Sequence, residues 1–162
     1  MPTHPTGTVT FLFTDIEGST ALWEKFPDAM KPALARHDAI LRDAIETHRG
    51  YVVKTTGDGI HAAFATATDA LVAVIAAQRA MLAEPWRETG SLRIRAALHT
   101  GAVEERGGDY YGPPVNRTAR LMACGYGGQI LISLATQELV RDQLPAGVTL
   151  RDLGAHRLKD LI

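Results

Sequence analysis

The spacing of apolar residues changes along the chain between the period of a strand and the period of a helix. Thr8–Ile16 (TVTFLFTDI) is a short apolar run rich in β-branched and aromatic residues, which is typical of a buried strand. Helical spacing follows as far as His48, and Gly50 is expected to stop it. Because proline breaks the helical hydrogen-bond ladder, Pro27 and Pro32 are expected to divide this stretch into two helices.

The next segment carries a hairpin signal and then a strong helix. Tyr51–Thr56 and Gly59–Ala65 are predicted to be strands joined by the turn at residues 57–58. Thr66 or Thr68 can cap the helix that follows, in which Ala, Leu, Val and Ile recur at helical spacing. The sequence LRIRAALHTG then alternates like another strand.

The last third of the chain completes the pattern. A turn precedes a helix that begins near Pro113, since proline suits the first helical turn. GQILIS is predicted to be a strand, LATQELVRDQL a helix, and VTLRDLGAHRLKDL a closing hairpin. This order predicts a mixed α+β fold in which helices cover one large sheet. We expect residues 1–162 to form a single domain.

Composition narrows the classes of function. The formal net charge of −1 argues against a broad electrostatic grip on nucleic acid or an anionic membrane, although a small anionic ligand needs only a few placed groups. The single cysteine, Cys124, cannot form an intrachain disulfide, and the N-terminus has no signal-peptide pattern. No apolar run has the length of a membrane span. A cytoplasmic domain is therefore expected.

Acidic residues at the predicted strand ends suggest metal and phosphate chemistry. Asp15 ends the first strand, and Gly18 precedes a helix that Ser19 or Thr20 can cap, where backbone amides attract phosphate. Asp58, at the tip of the central hairpin, supplies a second carboxylate if the two strands are neighbours. Such oxygen ligands suit Mg²⁺ or Mn²⁺. The alternative interpretation is a helix cap at Asp15 and a turn residue at Asp58.

Four segments, taken in order, resemble the signature blocks of class III nucleotidyl cyclase catalytic domains: FTDIEGST, KTTGDGIHAAF, HTG and GDYYGPPVNRTARL. The likeness runs from about Thr8 to Lys159, and the short passage between Leu98 and Asp109 looks like the bacterial branch with a reduced dimerisation arm. The resemblance implies an α+β fold with a ferredoxin-like βαβ core, in which helices cover a mixed, mostly antiparallel sheet. It also implies a head-to-tail homodimer with two shared active sites. The chain ends at Ile162, before the last strand that the family usually has.

The resemblance also implies a role for each matching residue. Two divalent ions, Mg²⁺ or Mn²⁺, would be held by Asp15, Asp58 and the carbonyl of Ile16. The purine-reading pair would be Lys54 and Asp109. The pair that supports the ribose and the transition-state phosphate would be Asn116 and Arg120, and triphosphate contacts would come from Gly18, Ser19, Thr20 and Lys159. Lys54 and Asp58 would then serve different sites, whereas a local ion pair between them is the alternative.

The implied reaction converts ATP to cyclic AMP and pyrophosphate. Lys54 donates a hydrogen bond and Asp109 accepts one, which complements the N1 acceptor and the N6 amino donor of adenine. Guanine has a donor at N1 and an acceptor at O6, so both contacts would be mismatched. The alternatives are a guanylyl cyclase and a cyclase-like regulatory module that binds nucleotide or only dimerises. The segment Gly107–Tyr111 (GGDYY) also resembles the GGDEF motif of diguanylate cyclases, but its surroundings fit class III better.

Several other residues are assigned to packing. His61 and His99 have no metal-type spacing and are expected to pack or to support the site indirectly. Cys124 is expected to be a small buried residue. Packing is also the expected role of the larger aromatic residues: Trp23, Trp86, Tyr110 and Tyr111.

Overall fold

The computed structural model describes residues 4–155, which form six strands and five helices numbered in chain order. The strands are β1 (Gly7–Ile16), β2 (Tyr51–Thr56), β3 (Gly59–Phe64), β4 (Ile94–Arg106), β5 (Asp109–Tyr111) and β6 (Ile130–Ile132). The helices are α1 (Ser19–Lys25), α2 (Met30–Thr47), α3 (Ala67–Ala83), α4 (Pro113–Ala123) and α5 (Leu134–Val140).

The strands form one sheet in the order β2-β3-β1-β4-β5, and β6 pairs with β4. Neighbouring strands along that order are antiparallel, whereas β6 runs parallel to β4. The two halves, β1-α1-α2-β2 and β3-α3-β4, interleave so that β1 and β3 are central, which is the ferredoxin-like split βαβ arrangement. The predicted fold class is confirmed.

One face of the sheet carries the larger apolar core. Strand residues such as Leu12, Phe64 and Leu98 are fully buried there with residues of α2 and α3. Helix α3 is apolar over most of its length, and its Gln78 side-chain amide donates to the carbonyls of Ile94 and Gln129. Those two bonds tie the helix to the start of β4 and to the residue before β6.

The opposite face has a smaller core that is covered by α4 and by the β4–β5 hairpin. Phe11 and Tyr110 pack edge to face in this core, with ring centroids 5.3 Å apart. The hairpin crosses the sheet from β4 to β2, where the Tyr51 hydroxyl donates to the Gly108 carbonyl at 2.9 Å. Glycine at position 101 allows the start of α4 to pack closely against β4, because a Cβ there would lie 2.4 Å from the ring of Pro114. This crossing brings together residues that are far apart in strand order.

The helix boundaries agree with the predicted break at Pro27 and with the predicted cap at Thr66. They differ at Pro32, which lies in the first turn of α2 without breaking it, and at the predicted caps of α1. Neither Ser19 nor Thr20 caps α1, because Gly18 occupies the cap position in a left-handed conformation and no side chain bonds there. The chain leaves α2 through Arg49, whose φ of 65° is positive. Gly50 is needed for a different reason than predicted, since a Cβ there would lie 2.5 Å from the ring of Phe64.

The predicted closing hairpin is wrong for its described part. Residues 148–155 form no strand, because Val148 donates its amide to Pro145 in a turn and Gly154 has a positive φ. Leu150 instead packs against the larger core. Residues 156–162, including Lys159, lie outside the described part of the chain.

The other packing predictions have mixed outcomes. Trp23 and Trp86 pack against the larger core, as predicted. Cys124 is exposed, which corrects the expectation that it is buried, because it follows the last turn of α4 and its thiol donates to the carbonyl of Arg120. Among residues 4–155, none of the helices has the length and apolar character required to cross a bilayer.

Candidate active site

Two carboxylates meet where β1 ends. Asp15 and Ile16 close β1, and Asp58 lies in the turn between β2 and β3. Because β3 pairs with β1, this turn lies beside the end of β1, and the Asp58 Oδ2 accepts the backbone amide of Ile16 at 3.1 Å. Both carboxylates are half-buried. The structure therefore brings together the three residues that were predicted to hold metal.

Arg95 also belongs to this acidic end, and the sequence did not single it out. It faces Asp15 across the β1–β4 ladder, with its Nε donating to Oδ1 at 2.7 Å and its Nη2 donating to Oδ2. The hydrogen bond to Asp15 raises the pKa of Arg95 most, and the negative charges of Glu17 and Asp58 add to it against the opposing effect of burial. A guanidinium thus offsets part of the negative charge at this end of the sheet.

The donors at this end fit a divalent cation. In residues 4–155 no three His, Cys, Asp or Glu side chains converge as a ready-made metal cage. Mg²⁺ rarely uses such a cage, however, and is commonly held by one or two carboxylates together with substrate phosphates. Each carboxylate has about four lone-pair positions, so the bonds from Arg95 to Asp15 leave acceptor capacity there. Asp15, Asp58 and the Ile16 carbonyl form a hard oxygen set of the right kind.

Replacing Arg95 with alanine is expected to destabilise the metal-free protein by about 1 kcal/mol, since the ion pair is only partly screened by solvent. Added Mn²⁺ should stabilise the variant more than the wild type, because the cation then supplies the missing positive charge. Thermal unfolding with and without Mn²⁺ measures both effects. Arg36→Ala, which removes an exposed ion pair to Glu84, is the control. Equal stabilisation by Mn²⁺ in all three proteins would contradict this interpretation.

Lys54 and Asp109 meet although their strands lie on opposite edges of the sheet. The crossing hairpin brings Asp109 of β5 over to Lys54 of β2, and their Nζ and Oδ2 atoms are 3.2 Å apart. The amide of Tyr110 is the main group that lowers the pKa of Asp109, and Lys54 lowers it further. Lys54 therefore pairs with Asp109 in this chain, while Asp58 bonds to the backbone of Ile16.

Asn116 and Arg120 lie on α4, one turn apart. Val115, Ala119 and Met122 pack the other side of this helix against the smaller core. Asn116 is exposed and Arg120 is half-buried. The helix contacts β4 and β1, so its polar side chains lie on the same face of the sheet as Asp15, Arg95 and Lys54.

The predicted phosphate contacts have a less defined geometry. Gly18 has a φ of 66°, and the space where a Cβ would project is open. Ser19 is half-buried and Thr20 is exposed. Their contact with triphosphate stays a prediction, as does that of Lys159, which lies outside the described residues.

The remaining residues that were assigned to packing differ in how far they are buried. His99 donates or accepts at Nδ1 with the Ser133 hydroxyl at 2.7 Å, and burial, with the charge of Arg117, lowers its pKa. Tyr110 is buried, its hydroxyl donates to the Pro5 carbonyl, and burial raises its pKa to about 12. Tyr111 is exposed, which corrects its assignment to packing, because it alternates to the outer side of β5.

The fold and the site can be compared with known proteins. The family model "Adenylate and Guanylate cyclase catalytic domain" matches residues 1–159. A solved structure of an adenylate cyclase from Trypanosoma brucei, described in its monomeric state, is 30% identical with a TM-score of 0.87, covering 99% of this chain and 88% of that one. The chain belongs to the family of adenylate and guanylate cyclase catalytic domains.

Sequence relatives agree with this assignment. An uncharacterised protein of Mycobacterium tuberculosis is 44% identical over 159 residues, which are 97% of this chain and 53% of that protein. An adenylate cyclase of Podospora anserina is 37% identical over 154 residues, covering 80% of this chain and 7% of that protein. The chain thus spans about half the length of the first relative and a small part of the second.

Proposed function

We propose that this domain is an adenylyl cyclase that converts ATP to 3′,5′-cyclic AMP and pyrophosphate. The observation that carries the choice of substrate is the contact between Lys54 and Asp109. Two relatives named as adenylate cyclases, from Podospora anserina and Trypanosoma brucei, add support. The cytoplasm, where ATP is abundant, is the proposed location.

Adenine recognition follows from donor and acceptor geometry. The Lys54 ammonium donates to adenine N1, and the Asp109 carboxylate accepts from the N6 amino group. Guanine has an N–H at position 1 and a carbonyl at position 6, so both contacts would be mismatched. Each unpaired polar group costs about 1–3 kcal/mol when it is desolvated, which favours ATP over GTP by about 10² or more.

The reaction is an in-line attack of the ribose 3′-hydroxyl on the α-phosphorus. The new bond joins O3′ to that phosphorus, the bond to the bridging oxygen of the β-phosphate breaks, and the hydroxyl proton is released. Divalent cations bound at this site would acidify the hydroxyl and neutralise charge on the leaving pyrophosphate. Asp15, Asp58 and the Ile16 carbonyl would hold those cations through their oxygen atoms.

The residues of α4 act on the other side of the reacting atoms. Arg120 stabilises the charge that develops on the α-phosphoryl group, as guanidinium groups do in phosphoryl transfer. Asn116 donates to the ribose and orients it for attack. Arg95 stays beside the carboxylates and keeps Asp15 in position until a cation arrives.

Two chains are proposed to form each site. The carboxylates lie at the end of β1, whereas Lys54 and Asp109 lie where the crossing hairpin reaches β2. In a head-to-tail homodimer, the carboxylates of one chain face the purine pair and α4 of its partner. A symmetric dimer of this kind contains two such sites.

A cyclase assay tests the proposal. We expect purified protein with Mn²⁺ or Mg²⁺ to form cyclic AMP from ATP and at least 10²-fold less cyclic GMP from GTP, at equal substrate concentration. Cyclic nucleotide is measured at several protein concentrations, because a dimeric enzyme gains specific activity as it associates. Faster turnover of GTP would identify a guanylyl cyclase. Absence of either product at micromolar protein would favour a regulatory nucleotide-binding module.

A further inference from the structure

His61 lies beside the purine pair and has no role in the reaction described above. It is the cross-strand partner of Lys54 in the β2–β3 ladder, so both side chains lie on the same face of the sheet. Its half-buried imidazole stacks on Phe13, with ring centroids 3.7 Å apart and an interplanar angle of 1°. This stack fixes the plane of the ring at the base of the Lys54–Asp109 contact.

The charges that face His61 come from two different strands. Lys54 on β2 disfavours the imidazolium, whereas Asp109 on β5 favours it. Phe13 on β1 contributes an uncharged surface. Burial is the largest influence and, together with Lys54, lowers the pKa of His61 despite the carboxylate. The imidazole is therefore neutral at pH 7, and it gains a positive charge in acid.

Protonation of His61 would disturb the two groups that read adenine. An imidazolium next to Lys54 repels the ammonium, and it competes with both Lys54 and adenine N6 for the Asp109 carboxylate. Because the ring is partly shielded from solvent, these interactions are screened less than on an open surface. A packing role alone would need only the flat ring, without any change of charge.

We propose that His61 is a positioning residue of the purine subsite, and that its protonation in acid weakens the recognition of ATP by drawing Asp109 away from adenine. This inference rests on the proposed adenylyl cyclase function. The sign follows from linkage: ATP binds best to the neutral form, so its KM rises as the pH falls through the titration of His61. The rise approaches about tenfold per pH unit if the protonated form binds poorly.

The test compares KM and kcat for ATP between pH 5.5 and pH 8 in the wild type, His61→Phe and His61→Gln. His61→Phe keeps the ring that stacks on Phe13, and His61→Gln keeps a polar group without the titration. In both variants the KM for ATP should rise less at low pH than in the wild type, because the contribution of His61 protonation is absent. The titration of ATP itself is common to all proteins and cancels in the comparison. His99→Gln is the matched control, since His99 is also half-buried with a lowered pKa.

A second measurement does not require turnover. We expect the NMR titration of the His61 ring in the nucleotide-free protein to move to lower pH in Asp109→Asn, and to higher pH in Lys54→Met, because each change removes one facing charge. An unchanged His61 titration in both variants would overturn the proposal, as would an unchanged KM profile in an active His61→Phe enzyme. A wild type that makes no cyclic nucleotide would instead refute the proposed function, and the titration would still test the coupling.

Discussion

A mixture of Asp58→Asn chains and Arg120→Ala chains, each nearly inactive alone, is expected to recover about a quarter of the wild-type activity. The side-chain oxygen of the asparagine introduced at position 58 can still accept the backbone amide of Ile16, so the turn keeps its geometry while the charge that holds the cation is lost. Loss of Arg120 removes the group that stabilises the transition-state phosphoryl. Each single variant should fall by about 10³-fold or more.

The size of the recovery follows from how the chains assort. Half of the dimers formed at random contain one chain of each kind. In such a dimer one site combines both defects, whereas the other combines an intact carboxylate set with an intact Arg120. Half of the dimers therefore have one intact site out of two, so about a quarter of all sites are active. Cyclic AMP production is measured after mixing, and native mass spectrometry measures the fraction of mixed dimers.

The matched control is a mixture of Asp58→Asn and Asp15→Asn chains. Both defects then lie on the carboxylate side of a site, so no dimer contains an intact site and no recovery is expected. Recovery in this control would indicate that chains contribute carboxylates to the same site. If the mixture of Asp58→Asn and Arg120→Ala chains recovers no activity although mixed dimers are present, one subunit holds the whole site.

The local pattern of the sequence was enough to predict much of the fold. Alternation and the hairpin signal at residues 57–58 predicted β2 and β3, and helical spacing predicted α3. Of the two candidate caps for α3, Thr66 and Thr68, the structure uses Thr66. These features depend on contacts between residues that are close in sequence. The meeting of Asp15 and Asp58 required one assumption about neighbouring strands, and the pairing of β1 with β3 supplies it.

Features that depend on long-range register could not be predicted in the same way. Arg95 reaches Asp15 because the two residues are directly opposite in the β1–β4 ladder, and the sequence alone does not give that register. The crossing of the β4–β5 hairpin, which joins Asp109 to Lys54, depends on packing of Tyr110 against Phe11. The available signal for Arg95 was its charge within the apolar first part of β4, residues 94–98.

Reversing the charges of the purine pair is expected to reverse the choice of base. The double variant Lys54→Glu/Asp109→Lys keeps two opposite charges at the positions that are now 3.2 Å apart, so the hairpin can still close onto β2. A carboxylate at position 54 would accept from guanine N1–H, and an ammonium at position 109 would donate to guanine O6. With adenine, the same groups would be mismatched twice.

The expected result is a fall of about 10²–10³ in kcat/KM for ATP, since two mismatches cost about 1–3 kcal/mol each. The ratio of GTP to ATP turnover should rise by at least the same factor. That ratio is the quantity to compare, because an ammonium at position 109 cannot accept the Tyr110 amide and some stability will be lost. Both nucleotides experience the same loss of folded protein, so it cancels in the ratio.

The control for charge reversal is Arg36→Glu/Glu84→Arg, which exchanges the partners of an exposed ion pair. It should leave the ratio at the wild-type value. If the Lys54→Glu/Asp109→Lys variant keeps its preference for ATP while both cyclic products remain measurable, the two residues do not read the base. The hydrogen bond between Lys54 and Asp109 would then serve only to hold the β4–β5 hairpin against β2. Other groups would have to recognise the base.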